Sequence, residues 1–196
     1  MAEQFEDQRG AASSTPSALK RWIGSKVVPR MVSPKRRERA RAAAEKKRVS
    51  ENRPHRVDYF HQVDDAYSHL AGQLLQPLLE AYDIELVPHL VTGPTGDNAP
   101  EPELLIDYAR YDCGKVASRY GLEFPADAEK PDVRAVKLAA RMLAAASDSE
   151  FPQLVATVGH TLWQSGLGEM ITLEDRLGAL SMEEAKDKMA AGNKLR

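Results

Sequence analysis

The sequence feature that most constrains the fold is a strand that runs through an acidic turn into a helix. Residues 57–63 combine Val, Tyr and Phe in the pattern of a strand, and apolar residues recur at helical spacing from Tyr67 onward. Asp64 and Asp65 lie between the two elements. A helix N-terminus presents unpaired N–H groups and the positive end of the helix dipole, so this turn is the predicted position of a functional site.

A second strand and a long helical region follow this turn. Residues 84–91 form a short apolar run, so residues 57–91 predict a βαβ unit with two parallel strands. Pro77 is expected to kink the intervening helix. A loop rich in Gly and Pro is predicted over 92–102, and only helical stripes follow over 103–193. The predicted fold class is α/β with helix-rich α+β content: a βαβ start, a large helical insertion and an incomplete sheet.

The N-terminal part of the chain differs in composition from the rest. Residues 1–16 are predicted to be disordered, 17–53 to form a basic helical extension interrupted at Pro29 and Pro34, and 54–196 to form the domain. Residues 17–56 hold 14 Lys/Arg and 3 Glu, whereas the chain from residue 57 holds 12 Lys/Arg and 23 Asp/Glu. We expect the basic arm to pack on its own acidic domain, with an anionic membrane or nucleic acid as alternative partners.

Cysteine content and hydropathy exclude several classes of protein. The single cysteine, Cys113, excludes an internal disulfide and a Cys-rich metal framework. It falls on an apolar helical stripe, which predicts a structural role. No apolar run approaches the length of a membrane span, and the N-terminus is acidic without an apolar segment, so a cytoplasmic location is expected.

The segments at the turn and beyond it resemble a known family. Asp65-Ala66-Tyr67-Ser68 follows the strand, and residues 108–125, 133–146 and 151–166 come after it in order. This series resembles the DsbA-like thioredoxin-fold family, which includes 2-hydroxychromene-2-carboxylate isomerases and kappa-class glutathione transferases. The resemblance covers residues 57–193. It implies a thioredoxin-like domain that binds glutathione, or another small thiol or acid, at the turn, with isomerase or transferase activity. The turn lacks the Cys-x-x-Cys pair of the dithiol oxidoreductases.

Two features depart from the family pattern. Asp65 stands where the isomerases typically have serine and the oxidoreductases cysteine, and a carboxylate there would repel a thiolate. No strand-like run and no proline follow Gly166, so the strand pair preceded by a cis-proline loop is missing. These departures indicate a shortened member or a fragment, whose open sheet edge could pair with another copy of the chain. They also support an alternative function, a non-catalytic interaction module.

The resemblance and the turn together give the candidate site residues. Asp64 and Asp65 are the candidate catalytic acid and base, although either could instead simply cap the helix. Four side chains are candidates for contact with glutathione: Tyr67, Ser68, His61 and His69. The two imidazoles and two carboxylates could bind zinc, but the tight spacing of a two-histidine metal motif is lacking, so no metal is expected.

Overall fold

The computed structural model describes residues 17–31, 33–94 and 101–196, which form two units, one ending at His55 and one starting at Arg56. The predicted disorder over 1–16 lies outside the described residues, as do residues 95–100 of the predicted loop. The helices are α1 (Ala18–Met31), α2 (Pro34–Ser50), α3 (Ala66–Gln73), α4 (Leu75–Ala81), α5 (Pro102–Arg119), α6 (Val133–Ala145), α7 (Phe151–Gln164), α8 (Gly166–Leu177) and α9 (Met182–Leu195). The strands are β1 (His55–Gln62) and β2 (Ile84–Val91).

The N-terminal unit is helical, as its composition predicts. The expected interruption at Pro29 is wrong, because α1 continues through that residue to Met31. Pro34 occupies the first turn of α2, where a missing N–H costs nothing because that group has no partner within the helix. No residue of α2 is buried. Its helical state therefore rests on Ala, Arg, Lys and Glu propensity and on local pairs such as Arg48–Glu45, 2.6 Å apart.

β1 and β2 form a two-stranded parallel sheet whose two faces differ. Side chains of β1 alternate between the faces, as the strand pleat requires. Tyr59 and His61 point into the core, where both rings contact Phe151 at centroid distances of 6.3 and 6.0 Å. On the opposite face, Asp58 Oδ1 lies 2.8 Å from His89 Nε2 of β2. This register confirms the parallel pairing predicted for 57–91.

The helix between the strands is divided into α3 and α4 at Leu74. Pro77 has no N–H to donate to the carbonyl of Gln73, and its ring crowds that carbonyl. The interruption is limited to Leu74, whose backbone stays in the helical region (φ −91°, ψ −7°), in agreement with the kink predicted at Pro77.

The remaining helices build the core of the larger unit. Asp132 caps α6 by accepting from Arg134 N at 2.6 Å, and Ser181 forms a capping box with Glu184 at the start of α9. The C-terminal helix α9 packs directly on β2: a Cβ atom on Gly192 would lie 2.2 Å from the carbonyl oxygen of Leu90. The core consists mainly of small and aliphatic side chains, among them Ala139, Met142, Val155, Val158 and Met170.

The observed architecture confirms the predicted helix-rich α/β content, with a βαβ start and, in the described residues, a sheet of two strands. After Gly166, the described residues form only α8 and α9. In the described part of the chain, no helix is long and apolar enough to cross a membrane.

Candidate functional site

Asp65 is the N-cap of α3. Its backbone is extended, with φ −98° and ψ 125°, and its Oδ2 accepts a hydrogen bond of 2.7 Å from the N–H of Ser68. An extended N-cap residue with a short carboxylate side chain is the favoured way to satisfy a free N–H at a helix start. The carboxylate of Asp65 thus lies in the anion-binding position of the helix terminus.

Asp64 has a separate environment. It is exposed, and its Oδ1 accepts from the side-chain amide of Gln62 at 3.0 Å. The two adjacent carboxylates therefore have different donors. A catalytic role for Asp64 and Asp65 as an acid/base pair remains a prediction.

Tyr67 and Ser68 also have partners within the chain. The Tyr67 hydroxyl donates to Oδ2 of Asp112 on α5 at 2.7 Å, and this bond to a carboxylate raises the pKa of Tyr67 above its ordinary value. The Tyr67 side chain is 41% exposed. Ser68 Oγ accepts from the N–H of Gln62, at 3.4 Å. The hydroxyls predicted to contact glutathione thus bind the protein itself in the structure.

His61 belongs to a buried hydrogen-bonded group beneath the turn. The Tyr59 hydroxyl lies 3.2 Å from the carbonyl oxygen of Ser68 and 3.0 Å from Nδ1 of His61. A carbonyl oxygen can only accept, so the hydroxyl proton of Tyr59 is directed at Ser68. The Nδ1–H of His61 therefore donates to the hydroxyl oxygen of Tyr59. His61 is 3% exposed, and burial, with a smaller effect from His69, lowers its pKa to about 3. It is therefore a neutral core group at neutral pH.

His69 lies deeper, between α3 and α7. It is 2% exposed, and its ring packs against Phe124 and Trp163 at centroid distances of 6.0 and 6.4 Å. Burial is the main cause that lowers its pKa to about 4; His160 adds to this effect, whereas a backbone hydrogen bond at Glu123 opposes it. Both histidines proposed as ligand contacts are thus buried and neutral.

Gln73 connects His69 to a loop that the sequence analysis did not single out. Its side-chain amide accepts from Glu123 N at 2.9 Å and donates to Glu123 O at 2.8 Å. These two bonds determine which end of the Gln73 amide is the oxygen and which is the nitrogen. The nitrogen also donates to Nε2 of His69, at 3.2 Å. Nδ1 of His69 has no hydrogen-bond partner among the described residues. The i,i+4 spacing of His69 and Gln73 was the available sequence signal.

The described cavities lie away from the turn. A groove of about 870 Å³ lies between α5, α7 and the loop 122–129, with Trp163 among its lining residues. A second cavity, of about 390 Å³, is lined by His69, Gln73, Glu123 and His160 among others. Of the six predicted site residues, His69 lines the second of these cavities, and the other five line neither.

Candidate metal ligands and the single cysteine were located in the described residues. No group of three His, Cys, Asp or Glu side chains there is placed to hold a metal ion. Cys113 is fully buried, as its apolar stripe predicts, and burial, with smaller effects from Asp65 and Asp112, raises the pKa of its thiol to about 12. A thiol held in that protonated form is a poor nucleophile.

Comparison with known proteins gives one structural likeness to report. No family model and no curated protein matches the sequence. The structure is similar to that of a 2-hydroxychromene-2-carboxylate isomerase (HCCA isomerase), with a TM-score of 0.43 and 19% sequence identity over 71% of this chain and 74% of that chain. That enzyme belongs to the family which the sequence resembles.

Proposed function

We propose that this chain is a non-catalytic binding module on a thioredoxin-like scaffold. The observation that carries the proposal is the hydrogen bond from Ser68 N to Asp65 Oδ2. In the family that the sequence resembles, a serine hydroxyl or a cysteine thiolate stands at this position and faces the reacting sulfur. Here a carboxylate takes the N–H group instead, and its charge disfavours a second anion beside it.

The neighbouring side chains support the same proposal. Tyr67 and Ser68 are engaged by Asp112 and Gln62, and neither of the two cavities described above is lined by Asp64, Asp65, Tyr67 or Ser68. An enzyme that acts on a small molecule ordinarily needs a concave site that encloses it. A turn whose two hydroxyls and one helix N–H group are already engaged by the protein, on an accessible surface, suits contact with another macromolecule better.

The surface beside the turn has the composition of a protein-binding face. We define the interaction face as Tyr67 of α3 with Leu104, Tyr108 and Tyr111 of α5, whose side chains are 41%, 63%, 58% and 64% exposed. The three α5 residues recur at helical spacing, and the Tyr67–Asp112 bond joins α3 to this part of α5. Tyrosine is enriched in protein interfaces because it offers a large apolar surface with a polar end.

The second candidate function is binding of glutathione, or a related small thiol or acid, with isomerase or transferase chemistry. It is favoured by the partly exposed Tyr67 hydroxyl next to the helix N-terminus, a position from which it could donate to an anionic ligand once freed from Asp112. In this function Asp65 and Asp64 would be the catalytic carboxylates.

Calorimetric titration of reduced glutathione into the full chain, beside an Asp65→Ser variant, separates the two functions. We expect no saturable heat from the natural chain. Serine keeps the helix cap and removes the charge, so the variant also tests whether the carboxylate is what excludes the ligand. Asp64→Ser is the matched control, because it removes a neighbouring charge that does not cap the helix.

Saturable binding by the natural chain would overturn the module and support the second candidate. Binding by Asp65→Ser alone would support a module whose former ligand site has been closed by one carboxylate. Circular dichroism of each sample shows whether the protein is folded, so that a titration without heat can be attributed to a lack of binding.

A further inference from the structure

The helix α2 is strongly basic and lies almost entirely at the surface. It carries eight Lys/Arg and two Glu in 17 residues, a net charge of +6, and none of its residues is buried. Three of the basic residues are consecutive at its start: Lys35, Arg36 and Arg37. Such a charge density attracts an anionic surface over a distance of about one Debye length, roughly 8 Å at physiological ionic strength.

The preceding helix α1 adds apolar side chains that point into solvent. Leu19 is 65% exposed, Trp22 62%, Val27 43% and Val28 54%. Leu19 and Trp22, three positions apart, share one side of the helix, and Lys26 lies on that side with them, four positions after Trp22. The basic residues Arg21 and Lys26 are both exposed.

The combination of the two helices distinguishes between anionic partners. Nucleic acid would be bound by the charges alone and would leave the aliphatic side chains of α1 in water. A bilayer surface accommodates both, because Trp and aliphatic side chains enter the boundary between headgroups and acyl chains while Lys and Arg contact lipid phosphates. Long basic side chains among the apolar ones can extend to the headgroups.

We propose that α1 and α2 bind the surface of a membrane that contains anionic lipid. Leu19 and Trp22 of α1 insert at the interface, Arg21 and Lys26 contact the headgroups, and α2 adds the electrostatic attraction. This inference does not depend on the proposed function, since none of its residues belongs to the turn or to the interaction face.

Flotation of the full chain with lipid vesicles tests the proposal. We expect binding to vesicles rich in phosphatidylserine, little binding to pure phosphatidylcholine, and loss of binding as the salt concentration rises. Replacing Lys35, Arg36 and Arg37 by Gln should weaken binding on the order of 100-fold, because each basic residue near the surface contributes about one factor of five. The matched control replaces three exposed lysines of the other unit by Gln, with the same charge change: Lys137, Lys186 and Lys194.

Tryptophan emission reports on the insertion itself. Trp163 is buried in the core, so a blue shift on adding phosphatidylserine vesicles should come from Trp22 and disappear in Trp22→Phe. Equal loss of binding in the two triple variants would overturn the proposal, as would absence of binding to anionic vesicles at low salt. Tighter binding to duplex DNA than to vesicles, without a Trp22 shift on vesicles, would assign the arm to nucleic acid instead.

Discussion

A Cβ atom on Gly159 of α7 would lie 2.4 Å from Nδ1 of His69 on α3. The imidazole packs against Phe124 and Trp163 and accepts from Gln73, so moving it away from α7 would break these contacts. The two helices can therefore approach this closely only because residue 159 has no side chain. The same contact leaves Nδ1 facing a glycine rather than a hydrogen-bonding group.

Gly159→Ala should destabilise the fold. The added methyl group forces the His69 ring or a helix to move, and overpacking of this kind lowers the free energy of unfolding by about 1–3 kcal/mol. Urea unfolding followed by circular dichroism measures the change. The control is Gly168→Ala in α8, which meets no atom within 4 Å and should be neutral or stabilising by up to about 1 kcal/mol. Equal free energies of unfolding for Gly159→Ala and Gly168→Ala would contradict the close contact between Gly159 and His69.

Asp65→Ala should remove the cap of α3 and cost about 1 kcal/mol of stability, because the N–H of Ser68 loses its acceptor. Thermal unfolding measures the effect. Asp64→Ala is the control, since its hydrogen bond comes from the Gln62 side chain at the surface and its loss should cost less than about 0.5 kcal/mol. Asp65→Ser should retain most of the stability. The assignment of the cap fails if Asp64→Ala is the more damaging change.

The buried histidines should make the fold less stable in acid. The folded pKa values of His61 and His69, about 3 and about 4, lie below the unfolded value of about 6.5. The unfolded chain therefore binds these protons first, so their contribution is complete above pH 6.5 and is lost as the pH falls toward 4. The slope is about 1.4 kcal/mol per pH unit for each histidine.

Comparison of variants isolates this effect from the titration of carboxylates. Urea unfolding at pH 7 and pH 5 should show a smaller pH dependence in His61→Phe than in the natural chain, by about 2 kcal/mol. His55→Gln, which replaces an exposed histidine, is the control variant. An unchanged slope in His61→Phe would mean that this imidazole is not held neutral by burial.

Gly192→Ala should separate α9 from β2. Its Cβ would lie 2.2 Å from the backbone oxygen of Leu90, and backbone cannot rotate away as a flexible side chain can. We expect a loss of about 2 kcal/mol or more. Hydrogen exchange of the Thr92 amide should also accelerate, because Asn193 accepts from that N–H at 3.0 Å. Ala190→Ser, at an exposed position of the same helix, is the control. Equal exchange rates of the Thr92 amide in the two variants would contradict the packing of α9 on β2.

Local sequence patterns predicted the parts of the fold that depend on neighbouring residues. An aspartate before an apolar helical stripe predicts an N-cap, and Asp65 is one. The three proline predictions had different outcomes: the interruption at Pro34 and the bend at Pro77 were predicted correctly, whereas α1 continues through Pro29. The effect of a proline depends on its position relative to the helix start, which the apolar pattern alone leaves open.

Contacts between distant residues could not be predicted in this way. Gln73 and Glu123 are 50 positions apart, and neither carries a motif that selects the other. The burial of His61 and His69 depends on Phe151, Phe124 and Trp163, which come from later helices. The sequence therefore places the two imidazoles near the turn but does not reveal that they face away from solvent.

The carboxylate that caps α3 also determines how tightly a ligand must bind to take its place at the helix N-terminus. Asp65 is attached to the helix whose N–H group it occupies, so its carboxylate is present there at a high effective concentration however dilute the protein is. A free anion must displace this tethered competitor as well as bind. Only a ligand with substantial additional contacts could do so, whereas a partner that binds around the turn leaves the carboxylate in place.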